Sequence, residues 1–169
     1  YSKELKNFNP TWLEEPLDPL DFPSYSKLSR KNIIPIAFGE SFTSFSEFEI
    51  ANNLCCSKYI QPDVTHCGFI DSKKILKICK KYNTKIAMHS WGSPISTLAN
   101  LHFSLAHSSV KWMEIPQVRL NLLKSEFDEL MIFNNGYVSL DDNIIGLGLD
   151  LNDKTIKNNK FIKNSGYKI

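Results

Sequence analysis

Ile60-Gln61-Pro62-Asp63-Val64 and Ile86-Ala87-Met88-His89-Ser90 decide how this chain folds. Each is a short apolar run of β-formers that stops at one ionisable side chain, and the two ionisable positions lie 26 residues apart. The residues between them carry an amphipathic helical pattern, so the unit reads strand–helix–strand. A right-handed crossover sets two such strands side by side and parallel, and Asp63 and His89 then leave the sheet at the same C-terminal edge. A carboxylate beside an imidazole fixes the ring's tautomer and raises its pKa. That is what a general base acting near neutrality requires. The bland alternative is a surface aspartate and a histidine satisfied within the fold.

The same grammar extends in both directions. Residues 1–8 read as the end of a helix, and Thr11-Trp12-Leu13 as a strand ending at Glu14-Glu15-Pro16, where proline stops pairing. A loop rich in Pro and Asp over 16–23 precedes a short helix over 25–30. Residues 33–38 form the next strand, ending at Gly39-Glu40. Ser44 or Ser46 caps a helix to about Asn53, with Phe45, Phe48 and Ile50 on its apolar side. Strands over 58–61 and 85–88 flank a helix over 71–81 that buries Ile75, Leu76 and Ile78. A helix over 94–106 carries Leu98, Leu101, Phe103 and Leu105, and 110–113 make a fifth strand ending at Glu114-Ile115-Pro116. Strand–helix alternation predicts an α/β fold with a parallel sheet and a site at the strands' C-terminal ends. The residues there are Glu14, Glu40, Asp63, His89 and Glu114. Carboxylates gathered this closely repel unless a cation sits among them. Hard oxygen ligands without thiolates favour Mg²⁺ or Mn²⁺ over Zn²⁺.

Composition narrows the class. A chain of 169 residues suffices for one domain with a core. With 42% hydrophobic and 22% charged residues and a formal net charge of +2, it reads as an ordinary soluble globular protein. Its lysines, as in Lys73-Lys74, Lys80-Lys81 and the tail's Lys154, Lys157, Lys160, Lys163 and Lys168, read as solvated faces, so nucleic acid is not an expected partner. No apolar run approaches a bilayer span and no signal peptide is recognisable, so no membrane partner is expected. The chain opens at Tyr1 without an initiator Met, and a targeting segment upstream would not be visible. Cys55, Cys56, Cys67 and Cys79 lack CxxC pairing and read as buried free thiols in a reducing, cytoplasmic compartment. Residues 1–150 are expected to form the domain, and 151–169 a polar tail rich in Lys and Asn.

Trp12-Leu13-Glu14-Glu15-Pro16-Leu17, Pro35-Ile36-Ala37-Phe38-Gly39-Glu40, Gln61-Pro62-Asp63-Val64 and His89-Ser90-Trp91-Gly92 resemble, in order and spacing, successive barrel-strand motifs of the enolase superfamily. The nearest group is the mandelate racemase/muconate lactonizing enzyme family, in its mandelate racemase-like subgroup. Met113-Glu114-Ile115-Pro116 and Gly146-Leu147-Gly148-Leu149-Asp150 resemble that family's closing segments. The resemblance implies the C-terminal portion of a TIM-like (β/α)7β barrel, with the capping domain and first barrel strands absent. It implies Glu14 and Glu40 as ligands of Mg²⁺ or Mn²⁺, Asp63 and His89 as the acid/base dyad, and Glu114 as the acid that hydrogen-bonds the substrate's carboxylate. Trp91 and His66 are placed against the substrate, although packing suits Trp91 equally well. His102 and His107 are expected to be structural. The family's third metal ligand and its Lys-containing second strand would lie upstream of Tyr1. The chain is therefore expected to be part of a longer, homo-oligomeric enzyme, and to be inactive and poorly stable alone.

The chemistry this implies is removal of a proton α to a carboxylate through an enediolate, most simply dehydration of an acid sugar to a 2-keto-3-deoxy acid. Racemisation or epimerisation of a 2-hydroxy acid is the alternative, and needs a second base from the missing second strand. Cycloisomerisation is disfavoured, because His66 stands where that subgroup relies on Lys. A truncated barrel with a structural role is the alternative of another class. Local departures from the family pattern are Gly68-Phe69 in place of Gly-Gly and Ile145-Gly146 in place of Pro-Gly.

Overall fold

The structure, a computed structural model, describes residues 1–117, 127 and 129–160. A short helix, α1 (Ser2–Leu5), precedes β1 (Leu13–Glu14), α2 (Phe22–Arg30), β2 (Ile36–Phe38), α3 (Phe45–Asn53), β3 (Tyr59–Ile60), α4 (Val64–Tyr82), β4 (Lys85–Met88), α5 (Pro94–Leu105) and β5 (Val110–Met113). The five strands pair in chain order and all neighbours are parallel, which is the arrangement of a (β/α) barrel wall.

Period-two alternation sorts the strand residues. Ile36, Phe38, Ile60, Ile86 and Met88 face the helices and form a core with Tyr25, Phe48, Ile75 and Phe103. The opposite, inner face carries Trp12, Tyr59 and Trp112, whose rings meet at 5.0 Å (Trp12–Tyr59) and 5.7 Å (Trp12–Trp112). One irregularity preserves this sorting at the last strand. Ile86 pairs with Val110 but Ala87 with Trp112, so Lys111 is an extra, bulged residue. The bulge keeps Met113 toward the helices and delivers Glu114 to the same face as His89.

Capping explains where the helices begin. Asp21 accepts from the Ser24 N–H at 3.1 Å, which starts α2 three residues before its expected position. Ser44, rather than Ser46, heads α3, and Glu47 reaches back to its N–H at 2.9 Å. Asp63 itself caps α4, so that helix starts at Val64 and not near Asp71. Gly68, at φ +74°, interrupts it after one turn, which is why no helical period is readable there.

Several expectations are corrected. Ile50 is exposed on α3, where Phe48 and Ala51 face the core instead, and Leu105 is half exposed at the end of α5. Residues 33–35 lie outside β2, although the Pro35 carbonyl still accepts from the Leu13 N–H at 2.8 Å. All four cysteines are free, but Cys55 is exposed, at φ +54°. Burial pushes the Cys56 thiol up to about 11 and the Cys79 thiol to about 12, so both are inert. A hairpin of β6 (Met131–Asn134) and β7 (Tyr137–Leu140) follows the sheet, turning through Asn135-Gly136. A further helix, α6 (Asp153–Asn158), falls within the expected tail. Residues 161–169 of that tail, with Lys163 and Lys168, lie outside the described residues. No described helix is long and apolar enough to cross a membrane.

Candidate active site

Asp63 is fully buried at the end of β3, a position open only to a carboxylate whose oxygens are satisfied. Its Oδ1 accepts from the Thr65 N–H (2.7 Å), the Thr65 hydroxyl (2.7 Å) and Asn100 Nδ2 (2.8 Å). Its Oδ2 accepts from His89 Nδ1 at 3.0 Å. With Nδ1–H committed to the carboxylate, the neutral ring carries its lone pair on Nε2. That atom lies 3.6 Å from Glu114 Oε2 and 4.0 Å from Glu40 Oε2. Burial works to raise the Asp63 pKa, but hydrogen bonds from His89, Asn100 and Thr65 outweigh it and hold the group at about 2. Burial likewise works to lower His89, yet its bond to Asp63 and the charges of Glu114 and Glu40 leave it above the ordinary histidine range.

The low value at Asp63 has a consequence for stability. A carboxyl depressed from 3.8 to about 2 contributes stability that is complete above about pH 4 and lost as pH falls through 2. The contribution is roughly 2 kcal/mol. Asp63→Asn is therefore expected to lower the thermal midpoint at pH 7, with the gap to the unsubstituted protein narrowing between pH 4 and pH 2. A gap constant over that interval would contradict the assignment.

Glu14, Glu15, Glu40 and Glu114 complete the rim. Glu14 Oε2 accepts from Trp12 Nε1 (2.9 Å) and Gln61 Nε2 (2.7 Å), and Glu15 Oε1 accepts from the Gly39 N–H (3.1 Å). Gly39, at φ +112°, turns the chain so that Glu40 joins the inner face, and a side chain there would press on Phe42 and Phe48. Glu114 Oε2 accepts from the Ser90 N–H at 3.1 Å. Burial raises the Glu40 pKa, and the charges of Glu15, Glu14 and Glu114 raise it further against the opposing pull of His89.

Among the described residues no Lys or Arg pairs with any of these carboxylates. Oxygen donors short of positive charge have the chemistry that suits a hard divalent cation. Asp63, His66 and His89 also bring ligand atoms within 4.8 Å of one another. The donors already crowding Asp63, however, leave that trio better explained as a hydrogen-bonded pair with a neighbour than as a ligand set.

All but two of the expected site residues line or bound one open cleft of about 470 Å³, walled by Glu40, Ser41, His66, His89, Trp91 and Glu114. Asp63 is buried behind His89, and Glu14 is not among the lining residues. Trp91 is half exposed at the cleft, and His66 is exposed, with Nδ1 3.0 Å from the Glu40 carbonyl and its ring 5.7 Å from that of His89. His102 and His107 instead bond backbone carbonyls of Leu147 and Phe103. Three contributors escape a reading of the sequence: Gln61, Thr65 and Asn100. Only Thr65 carried a local signal, as the hydroxyl residue two past a helix cap.

A parallel strand–helix wall whose rim gathers carboxylates around a His–Asp pair defines a segment of a (β/α) barrel with an acidic mouth. The profile of the Enolase C-terminal domain-like family matches residues 1–155, and the chain belongs to that family. It is 32% identical over 155 residues to the L-talarate/galactarate dehydratase of Salmonella typhimurium, covering 90% of this chain and 36% of that protein. It is 29% identical over 164 residues to the D-galactonate dehydratase of Xanthomonas campestris, covering 92% and 42%. The crystal structure of the 3,6-anhydro-D-galactonate cycloisomerase from Zobellia galactanivorans superposes with a TM-score of 0.79 at 26% identity, over 93% of this chain and 44% of that one. The chain spans less than half the length of these relatives.

Proposed function

We propose that the chain supplies the acid/base wall of a longer enzyme that removes a proton α to a carboxylate, and that the overall reaction is dehydration of an acid sugar to a 2-keto-3-deoxy acid. The observation that carries this reading is the buried Asp63–His89 pair, which turns a histidine lone pair into a cleft walled by carboxylates. Relatives that dehydrate talarate, galactarate and galactonate support a polyhydroxy carboxylate as substrate.

In this reading His89 Nε2 takes the α-proton, and Asp63 stabilises the imidazolium that forms without itself gaining the proton. The same Nε2–H then protonates the departing β-hydroxyl, so that water leaves and the resulting enol relaxes to the 2-keto acid. Glu114, which accepts from the Ser90 N–H, would in its protonated form be the acid that hydrogen-bonds the substrate's carboxylate across the cleft. Trp91 and His66 bound the space for the polyol chain. A divalent cation held by Glu14 and Glu40, Mg²⁺ or Mn²⁺ by the nature of the donors, would supply positive charge against the carboxylate as negative charge develops on it.

The complete protein, incubated with Mg²⁺ and a panel of acid sugars, is expected to form 2-keto acid and to exchange the α-proton with solvent deuterium. Exchange without keto acid would instead assign a racemase or epimerase. Neither signal in folded, metal-binding protein would remove the acid-sugar reading.

A further inference from the structure

Among the described residues one buried side-chain polar atom has no partner, and it lies in the acidic rim: Gln61 Oε1. Gln61 is only 6% exposed. It follows Ile60, which faces the helices, and so by strand alternation lies on the inner face of the sheet. It reaches across β2 to Glu14, and its Nε2 donates to Glu14 Oε2 at 2.7 Å. The amide's orientation is fixed by this contact, since a flipped amide would set two oxygens against each other at that distance. Trp12 Nε1 donates to the same Glu14 oxygen at 2.9 Å. Two donors on Oε2 leave Glu14 Oε1 as the atom free to bind a cation. Leaving an amide oxygen buried and unpaired is destabilising, so the position calls for a donor.

We propose that Gln61 is a positioning residue of the cation site. Its Nε2 holds Glu14 in a ligating orientation, and its Oε1 is the acceptor left for a donor that the loaded site would bring. The proposal rests on the reading that Glu14 holds a divalent cation. Partners of this kind around metal ligands are typically worth 10- to 100-fold in metal affinity.

The test is Mn²⁺ binding to the complete protein without substrate, followed by the electron paramagnetic resonance signal of free Mn²⁺. Gln61→Met is expected to weaken binding 10- to 100-fold. Its metal-free thermal midpoint should not fall, because the substitution also removes the unpaired oxygen. Gln61→Leu repeats the measurement if the first variant is unstable, and a metal-free midpoint lowered in both variants would assign Gln61 a structural role and overturn the proposal. Glu14→Gln separates the two readings. Weakened binding in Glu14→Gln with unchanged binding in Gln61→Met overturns the role of Gln61 alone. Unchanged binding in Glu14→Gln removes the cation site and this inference with it.

Discussion

His89→Asn in the complete protein is expected to lower kcat by about 10²–10⁴-fold, the range that general acid–base groups contribute. The expectation follows from the ring's two commitments. Nδ1 is spent on Asp63 at 3.0 Å, so all proton transfer must pass through Nε2, and nothing on asparagine reaches that far into the cleft. Asp63 keeps its bonds from Thr65 and Asn100 in the variant, so the fold should survive. Because Glu40, Trp91 and Glu114 remain in place, KM should move far less than kcat. Solvent-deuterium exchange at the α-carbon should be lost together with keto-acid formation, since one atom serves both steps. Exchange that persists while keto acid disappears would leave His89 as the acid alone and place the base on another group.

The strand ends were legible because they combine two independent signals, a run of β-formers and an abrupt ionisable stop. That is enough to pick out Glu14, Glu40, Asp63, His89 and Glu114 before any contact is known. The bulge at Lys111 was not legible, yet it alone puts Glu114 on the inner face, because one residue of slip reverses the direction of every side chain. The start of α4 is illegible for a related reason. Thr65-His66-Cys67-Gly68 has no apolar period, and its cap is the very aspartate that the function claims. The β6–β7 turn, by contrast, carries a hairpin signal in Asn135-Gly136, whose φ angles are +50° and +81°. Gln61 and Asn100 illustrate the deeper limit. An uncharged amide within an apolar pattern has no sequence signature of its own, and its role is set by partners 47 and 37 residues away.

Asn100→Leu is expected to destabilise the protein by about 3 kcal/mol, through one unpaired buried N–H and one lost bond to a charged group. For a domain of this size that is a fall of roughly 6–12 °C in thermal midpoint. The amide is fully buried on α5 and uses both ends: Nδ2 donates to Asp63 Oδ1 at 2.8 Å, and Oδ1 accepts from the Val64 N–H at 2.9 Å. It thereby ties the first turn of α4 to the buried carboxylate and fixes the carboxylate against His89. Asn100→Asp separates these two duties. It keeps an acceptor for Val64 but brings a second carboxyl against Asp63, and two such groups in contact cannot both ionise. The introduced carboxyl then has a raised pKa in the folded state. Its penalty should be small near pH 4 and grow as the pH rises toward 7, whereas the penalty of Asn100→Leu should persist over that range. Calorimetric midpoints of both variants at pH 4 and pH 7 distinguish the cases. A small, pH-independent penalty in Asn100→Asp beside a large one in Asn100→Leu would mean that the amide matters only to the Val64 backbone, and that Asp63 is held by Thr65 and His89 without it.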